Sequence, residues 1–314
     1  MSLDLLLTAT ATTTEPSSAA LAAGSARLSS RIAEANTVVL AHRRRAVRRR
    51  RLSLSIVGAA AAAGLVVLPL SPFGGADPDV AQAAEKLLMA SDSAAMQPDL
   101  AAGASYWHTV SEHSQSNVDG GAVYRRESWS ARSGPGLLID DGVSANPIGL
   151  GTATYDIGGT HVDWDGLSAL TTDPAELRDL LLRADTAGTS RSADDRLFMA
   201  VGDLLRATPA SPALRSALWR VAAQIPDVRL VGDVTDAVGR TGTAVEQVID
   251  HGGVTEVRRL VFDPDTGVLL EETQVARGGG ADRTYRSTYL DQGPADELPV
   301  QPQLRDGCTS FDGC

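Results

Sequence analysis

The chain has 314 residues, 43% of them hydrophobic and only 4% aromatic, with a net charge of −11. That apolar share is ordinary for a globular protein and sufficient for a real core. The charge is split: residues 1–51 hold nine arginines against Asp4, Glu15 and Glu34, a net +6, which leaves −17 on the remainder. An acidic remainder excludes nucleic acid and anionic membrane surfaces as its ligands. The two cysteines, Cys308 and Cys314, both fall in the closing CTSFDGC. They form no Cys-x-x-Cys motif and have no histidines beside them, which excludes a zinc site, while a disulfide between them would close a short terminal loop.

Residues 8–20, TATATTTEPSSAA, are small, polar and low in complexity, as in disordered segments. From Leu21 to Leu40 a weak helical periodicity runs through Leu21, Leu28, Ile32 and Val39. It suits either a docking helix for a cytosolic protein or a partly ordered stalk. Arg43, Arg44, Arg45, Arg48, Arg49, Arg50 and Arg51 then stand before an uncharged run from Leu52 to Ala76. About 20 apolar residues as a helix cross the ~30 Å hydrocarbon core of a bilayer. Arginines beside a span stay cytoplasmic. The expectation is a transmembrane helix over 52–73, residues 1–51 in the cytoplasm and residues 77–314 outside. A basic segment at this position is also drawn to anionic inner-leaflet lipids. Two other readings of the run are a buried core helix and a cleaved secretory signal, with Val80-Ala81-Gln82-Ala83 near the cut. The arginine flank argues against the first. The second is opposed by the roughly 50 residues that precede the run, against ~15–30 for a whole signal peptide.

Asp77-Pro78 reads as a helix cap with proline in the first turn, and the helix it opens continues to about Met96. Strands are predicted over 104–116, 121–132 and 136–140, followed by a hairpin of TATYDI and THVDW around Gly158-Gly159. The middle is helical: Asp173-Pro174 to Arg183, Ala193 to Ala207, and Ser211-Pro212 to Ile225. In the last of these Leu214, Leu218, Val221 and Ile225 line one face. Strands return as VRLVGDVTDA, TAVEQVIDH, VTEVRRLVFD, VLLEETQVA and DRTYRSTYL. Successive strands joined by short turns imply an antiparallel meander. Helices gathered between two strand sets imply an α+β fold, here a curved antiparallel sheet packed on helices over 77–300, with 301–314 as a C-terminal tail.

Little in this domain looks catalytic. His108 and His113 are five apart on one predicted strand, so they face opposite ways and cannot share an ion, and His161 and His251 stand alone. Asp263-Pro264-Asp265-Thr266-Gly267 resembles the start of a calcium loop, yet Gln274 stands where the bidentate glutamate belongs. A strand-linking turn accounts for it. Asp163-Trp164-Asp165 also sets two carboxylates close together in sequence. Nucleophile elbow, Walker loop and dinucleotide fingerprint are all missing, so the sequence points to no enzyme, no metal and no cofactor. Tyr106, Trp107, Trp129 and Trp164 are the candidate lining of a ligand pocket, with core packing as the alternative.

One ordered set of motifs is distinctive. An arginine-rich segment precedes a single span, then come Tyr106-Trp107, the run TDPAELRDLL from Thr172 to Leu181, and SPALRSAL from Ser211 to Leu218. Gly232 to Arg240 with the pattern G-x-V-x-D-x-x-G-R and FDPDTG from Phe262 to Gly267 complete it. This order resembles an uncharacterised family of actinobacterial single-span membrane proteins often encoded beside extracytoplasmic-function sigma factors. The outer domain is similar to the RseB, LolA and LppX type, a curved antiparallel sheet over helices. The resemblance implies a membrane-anchored extracytoplasmic sensor or regulator that contacts a cytosolic sigma factor through residues 1–51. Its alternative is a membrane-tethered carrier for lipid or lipoprotein in the cell envelope. Zinc-binding anti-sigma domains use a His-x3-Cys-x2-Cys cluster, and residues 1–51 contain no cysteine.

Overall fold

The computed structural model describes residues 77–116, 123–141, 147–183, 191–250, 252–278, 282–304 and 307–312. The chain divides into two units, Met1–Leu70 and Ser71–Cys314, and the described residues all belong to the second. Arg43–Arg51 and the expected span over 52–73 lie outside them. Among the described residues no helix is long and apolar enough to cross a membrane.

Five helices and eleven strands make up the described unit. Helix α1 (Pro78–Ala95) opens with Asp77 accepting from Asp79 N at 3.1 Å and proline in its first turn. Ala83, Leu87, Ala90, Ser91 and Ala94 form its buried face, which packs on the helix Pro212–Ala222 and on the strand Val228–Thr235. Strands β1 (Tyr106–Gln115), β2 (Val123–Ala131), β3 (Gly136–Asp140) and β4 (Ile148–Leu150) form a meander. The hairpin β5 (Thr154–Ile157) and β6 (Thr160–Asp163) is a separate two-stranded sheet. Helices α2 (Trp164–Ser168), α3 (Pro174–Leu181), α4 (Ala193–Ala207) and α5 (Pro212–Ala222) follow. A second meander then runs through β7 (Val228–Thr235), β8 (Thr241–Asp250), β9 (Thr255–Phe262), β10 (Leu269–Arg277) and β11 (Arg283–Ala295).

The two meanders are one sheet. Its order is β4-β3-β2-β1-β11-β10-β9-β8-β7, antiparallel throughout, curved and not closed. The α+β architecture is therefore as expected, and pairing of β1 with β11 joins its halves. Helices lie on one face, where Leu87, Phe198, Leu218 and Trp219 meet Val228, Val245, Leu260, Phe262, Leu269 and Tyr289 of the second meander.

 Trp219 stacks at a tilt on Phe262, centroid to centroid 4.9 Å, and its Nε1 donates to Gly267 O at 2.8 Å. Gly267 closes the β9–β10 turn with φ +68, and a Cβ there would lie 2.6 Å from Ala90 O and 2.8 Å from the Ala94 side chain. Ser93 Oγ donates to Pro264 O at 2.8 Å, so Asp263–Gly267 is a turn held against α1.

Two elements depart from the expectation. The strand THVDW ends one residue early, because Asp163 accepts from Gly166 N at 2.7 Å and caps α2, which begins at Trp164. Strand β4 has no counterpart among the predicted strands. It pairs with β3, and the tail packs beside it: Gly149 N donates to Gln303 O at 3.3 Å and Thr152 N to Asp312 Oδ1 at 2.8 Å. A Cβ on Gly149 would overlap the Phe311 ring. Cys308 is disulfide-bonded, while Cys314, the other cysteine of the chain, lies outside the described residues.

Candidate functional site

The helix-side face of the sheet carries two cavities of about 260 Å³ each. The first lies where the loop after α1, the start of α5, the β9–β10 turn and β11 converge. Its floor comes from an irregularity in the central seam. Val110 pairs with Asp291 and Ser111 with Tyr289, which leaves Leu290 as an extra residue on β11. Such a bulge re-aims the side chains around it, and Leu290 lines the cavity. The loop wall is shaped by Asp99, whose Oδ1 accepts from Ala101 N at 3.1 Å and Ala102 N at 3.2 Å. Pro98, Leu100, Val268 and Leu269 add apolar surface, and Leu100 is 50% exposed.

The polar groups of this first cavity are poorly matched to one another. Trp107 is 3% exposed, yet its Nε1 has no hydrogen-bond partner, and neither Nε2 nor Oε1 of Gln292 has one. Buried polar atoms of this kind are rare because each costs about 1–3 kcal/mol. Arg215 enters the cavity from one turn inside α5. Its Nε donates to Ala210 O at 3.1 Å, and its guanidinium lies over the Trp107 ring, 5.4 Å from the centroid. Among the described residues no carboxylate stands within ion-pair distance of it. Burial lowers its pKa, and the charge of Asp99 offsets part of that effect. Arg240 also lines the cavity but is held by Asp236, Nε to Oδ2 2.6 Å.

The second cavity, between α4 and strands β9 to β11, contains more charge and better pairing. Arg206 binds Glu272 at 2.7 Å and Asp203 at 2.5 Å, while Tyr289 Oη donates to Glu272 Oε2 at 2.9 Å. Burial works to lower the Arg206 pKa, but Glu272, Tyr289 and Asp203 outweigh it and raise the pKa. Burial raises the Tyr289 pKa, and the charge of Glu272 adds to the rise. Arg258 binds the fully buried Asp195 at 2.7 Å and also pairs with Glu256. These charges satisfy one another, so the first cavity is the stronger candidate for a ligand.

The four aromatics singled out in the sequence part company. Trp107 lines the first cavity and packs with Trp164, Ala101 and Ala104 in a small buried cluster. Residues opposite each other on paired strands share a face, and Trp129 is opposite His108 while Tyr106 is opposite Ala131. Trp129 and Tyr106 therefore lie on the face away from Trp107. The histidines have separate surroundings too. His108 stacks on Trp129 at 4.3 Å and reaches Glu127 at 3.2 Å. His113 stacks on Tyr124 at 5.1 Å, with Ser111 and Ser287 each 2.9 Å from a ring nitrogen. Burial and the charge of Arg126 lower its pKa to about 4. His161 is exposed and His251 lies outside the described residues. Asp165 binds Arg132 at 2.5 Å.

Sequence reasoning missed Arg215 and Gln292. A signal for Arg215 existed: it stands four residues before Trp219 and so shares a helix face with a wholly buried tryptophan. Gln292 had none, since its orientation depends on the bulge at Leu290.

No protein-family model matches the chain, and no curated protein matches it significantly. Solved structures do match. A LolA superfamily protein from Nitrosomonas europaea is 10% identical, covering 68% of this chain and 94% of its own at a TM-score of 0.21. LprF from Mycobacterium bovis is 12% identical, covering 72% and 99% at 0.25. A DUF1329 family protein from Desulfovibrio piger is 8% identical, covering 71% and 95% at 0.23. At such TM-scores these likenesses carry no weight for fold or function.

Proposed function

We propose that residues 77–314 bind a small amphipathic molecule in the first cavity, as the outer part of a membrane-tethered binding protein of the cell envelope. One observation carries this reading: the lining of a largely apolar cavity includes Trp107 and Gln292, whose buried Nε1 and amide groups have no hydrogen-bond partner. Ligand sites combine a mostly apolar lining with a few convergent polar groups. A volume of about 260 Å³ is near the lower end of the small-molecule range of roughly 300–1,000 Å³. It suits a single short chain or one end of a longer one. The role is binding rather than catalysis, and it serves a carrier directly.

The test is to purify the full chain from membranes, extract it with organic solvent and identify what was bound by mass spectrometry. The expected result is one amphiphile in near-stoichiometric amount, lost when Leu100→Trp narrows the half-exposed mouth. A chain that carries no such molecule and takes up none would end this reading. The sensor reading adds a cytosolic partner, a sigma factor, for residues 1–51, a segment longer than an anchor requires. A pull-down with that segment against an arginine-matched scramble decides it, since clustered arginines hold anions without specificity. Equal recovery by both baits would leave residues 1–51 as an anchor.

A further inference from the structure

We infer that the ligand of the first cavity carries an anionic head, a carboxylate or phosphate, and that Arg215 receives it. This rests on the binding reading above and specifies its ligand class. Arg215 uses Nε on Ala210 O, and its two Nη groups have no partner among the described residues. A guanidinium presents those groups as a planar fork that matches carboxylate or phosphate oxygens. The placement is otherwise unfavourable. Arg215 stands one turn inside the N-terminus of α5, where the partial charge of the helix is positive and favours anions. It is also partly withdrawn from water, above the Trp107 ring.

Other nearby charges do not supply the missing anion. Asp236 is taken by Arg240, and Asp99 is committed to the backbone of Ala101 and Ala102. Asp291 is exposed at the rim. An anion bound between Arg215 and the helix N-terminus would answer both features. The apolar part of the molecule would then lie along Leu269 and Leu290 towards Leu100.

The experiment uses the full chain in nanodiscs of zwitterionic lipid, with empty nanodiscs as the blank. Octanoate, octyl phosphate, octanol and inorganic phosphate are titrated by calorimetry. The expected result is that at least one of the two anionic amphiphiles binds about tenfold or more tightly than octanol, the scale of one charge-assisted contact. Arg215→Gln should bring the anionic amphiphiles down to the affinity of octanol for the same variant, and Arg215→Lys should restore part of the difference. Because the wild-type comparison needs no variant, the inference stays testable even if Arg215→Gln fails to fold. Octanol binding as tightly as both anions would overturn the anionic head and leave the binding reading standing. Inorganic phosphate binding as tightly as octyl phosphate would overturn the amphiphile and leave an anion site. If none of the four binds, the binding reading falls and this inference with it.

Discussion

Gly267 shows how much one residue can hold in place. Its positive φ favours glycine, its missing Cβ lets the turn touch α1, and its carbonyl takes the indole N–H of Trp219. Gly267→Ala combines a left-handed backbone penalty of about 1–2 kcal/mol with overpacking of about 1–3 kcal/mol. A loss of roughly 2–5 kcal/mol is expected, read from the urea midpoint at unchanged slope. His113 gives a pH prediction. The folded imidazole stays neutral down to about pH 4, whereas an unfolded histidine protonates near 6.5. The unfolded state therefore takes up the proton first as pH falls. His113 leaves stability unaffected above about pH 6.5 and lowers it progressively towards about pH 4. The urea midpoint of His113→Gln should fall less than that of the wild type over this range. Equal falls would show that other groups set the acid limit.

At the scale of elements, legibility follows the range of the interactions involved. The helices opened by Asp77-Pro78, Asp173-Pro174 and Ser211-Pro212 were readable because a cap and an N-terminal proline are local devices. In the structure each cap side chain accepts from its own first turn. Asp163 is also a cap, but it follows an alternating strand pattern and so was read as strand. Strand β4 is only three residues long, with Gly149 at its centre, and its place depends on β3 and on the distant tail. No local pattern encodes that. The candidate cavity was legible only at Trp107, because its other walls come from four separate parts of the chain. The tail makes a prediction of its own. Phe311→Ala should remove the ring beside Gly149 and, for a partly buried aromatic, cost about 1–3 kcal/mol. Thermal unfolding would measure it, and an unchanged midpoint would show the tail to be a passive cover.

Across the whole molecule, the arrangement of the sheet explains why the helices fall in the middle of the sequence. The first meander ends at the β4 edge, and the second begins at the opposite edge, β7. The helical segment carries the chain across one face between them, and it covers that face with Leu87-facing α5 and the Phe198 side of α4. The second meander then returns strand by strand until β11 meets β1. Both meanders were visible in the sequence as runs of strands and turns. Their union was not, because nothing local distinguishes one continuous sheet from two.

The seam between β1 and β11 has a consequence for synthesis. His113 and Ser287, neighbours across it, are 174 residues apart. At a synthesis rate of about 5–20 residues per second, β1 waits roughly ten to thirty seconds for its partner. Throughout that interval one side of β1 presents unpaired N–H and C=O groups, the kind of edge that recruits strands from other chains. A nascent chain emerging in order therefore has an adhesive edge until its final strand arrives. The last strand to be made is the one that seals it.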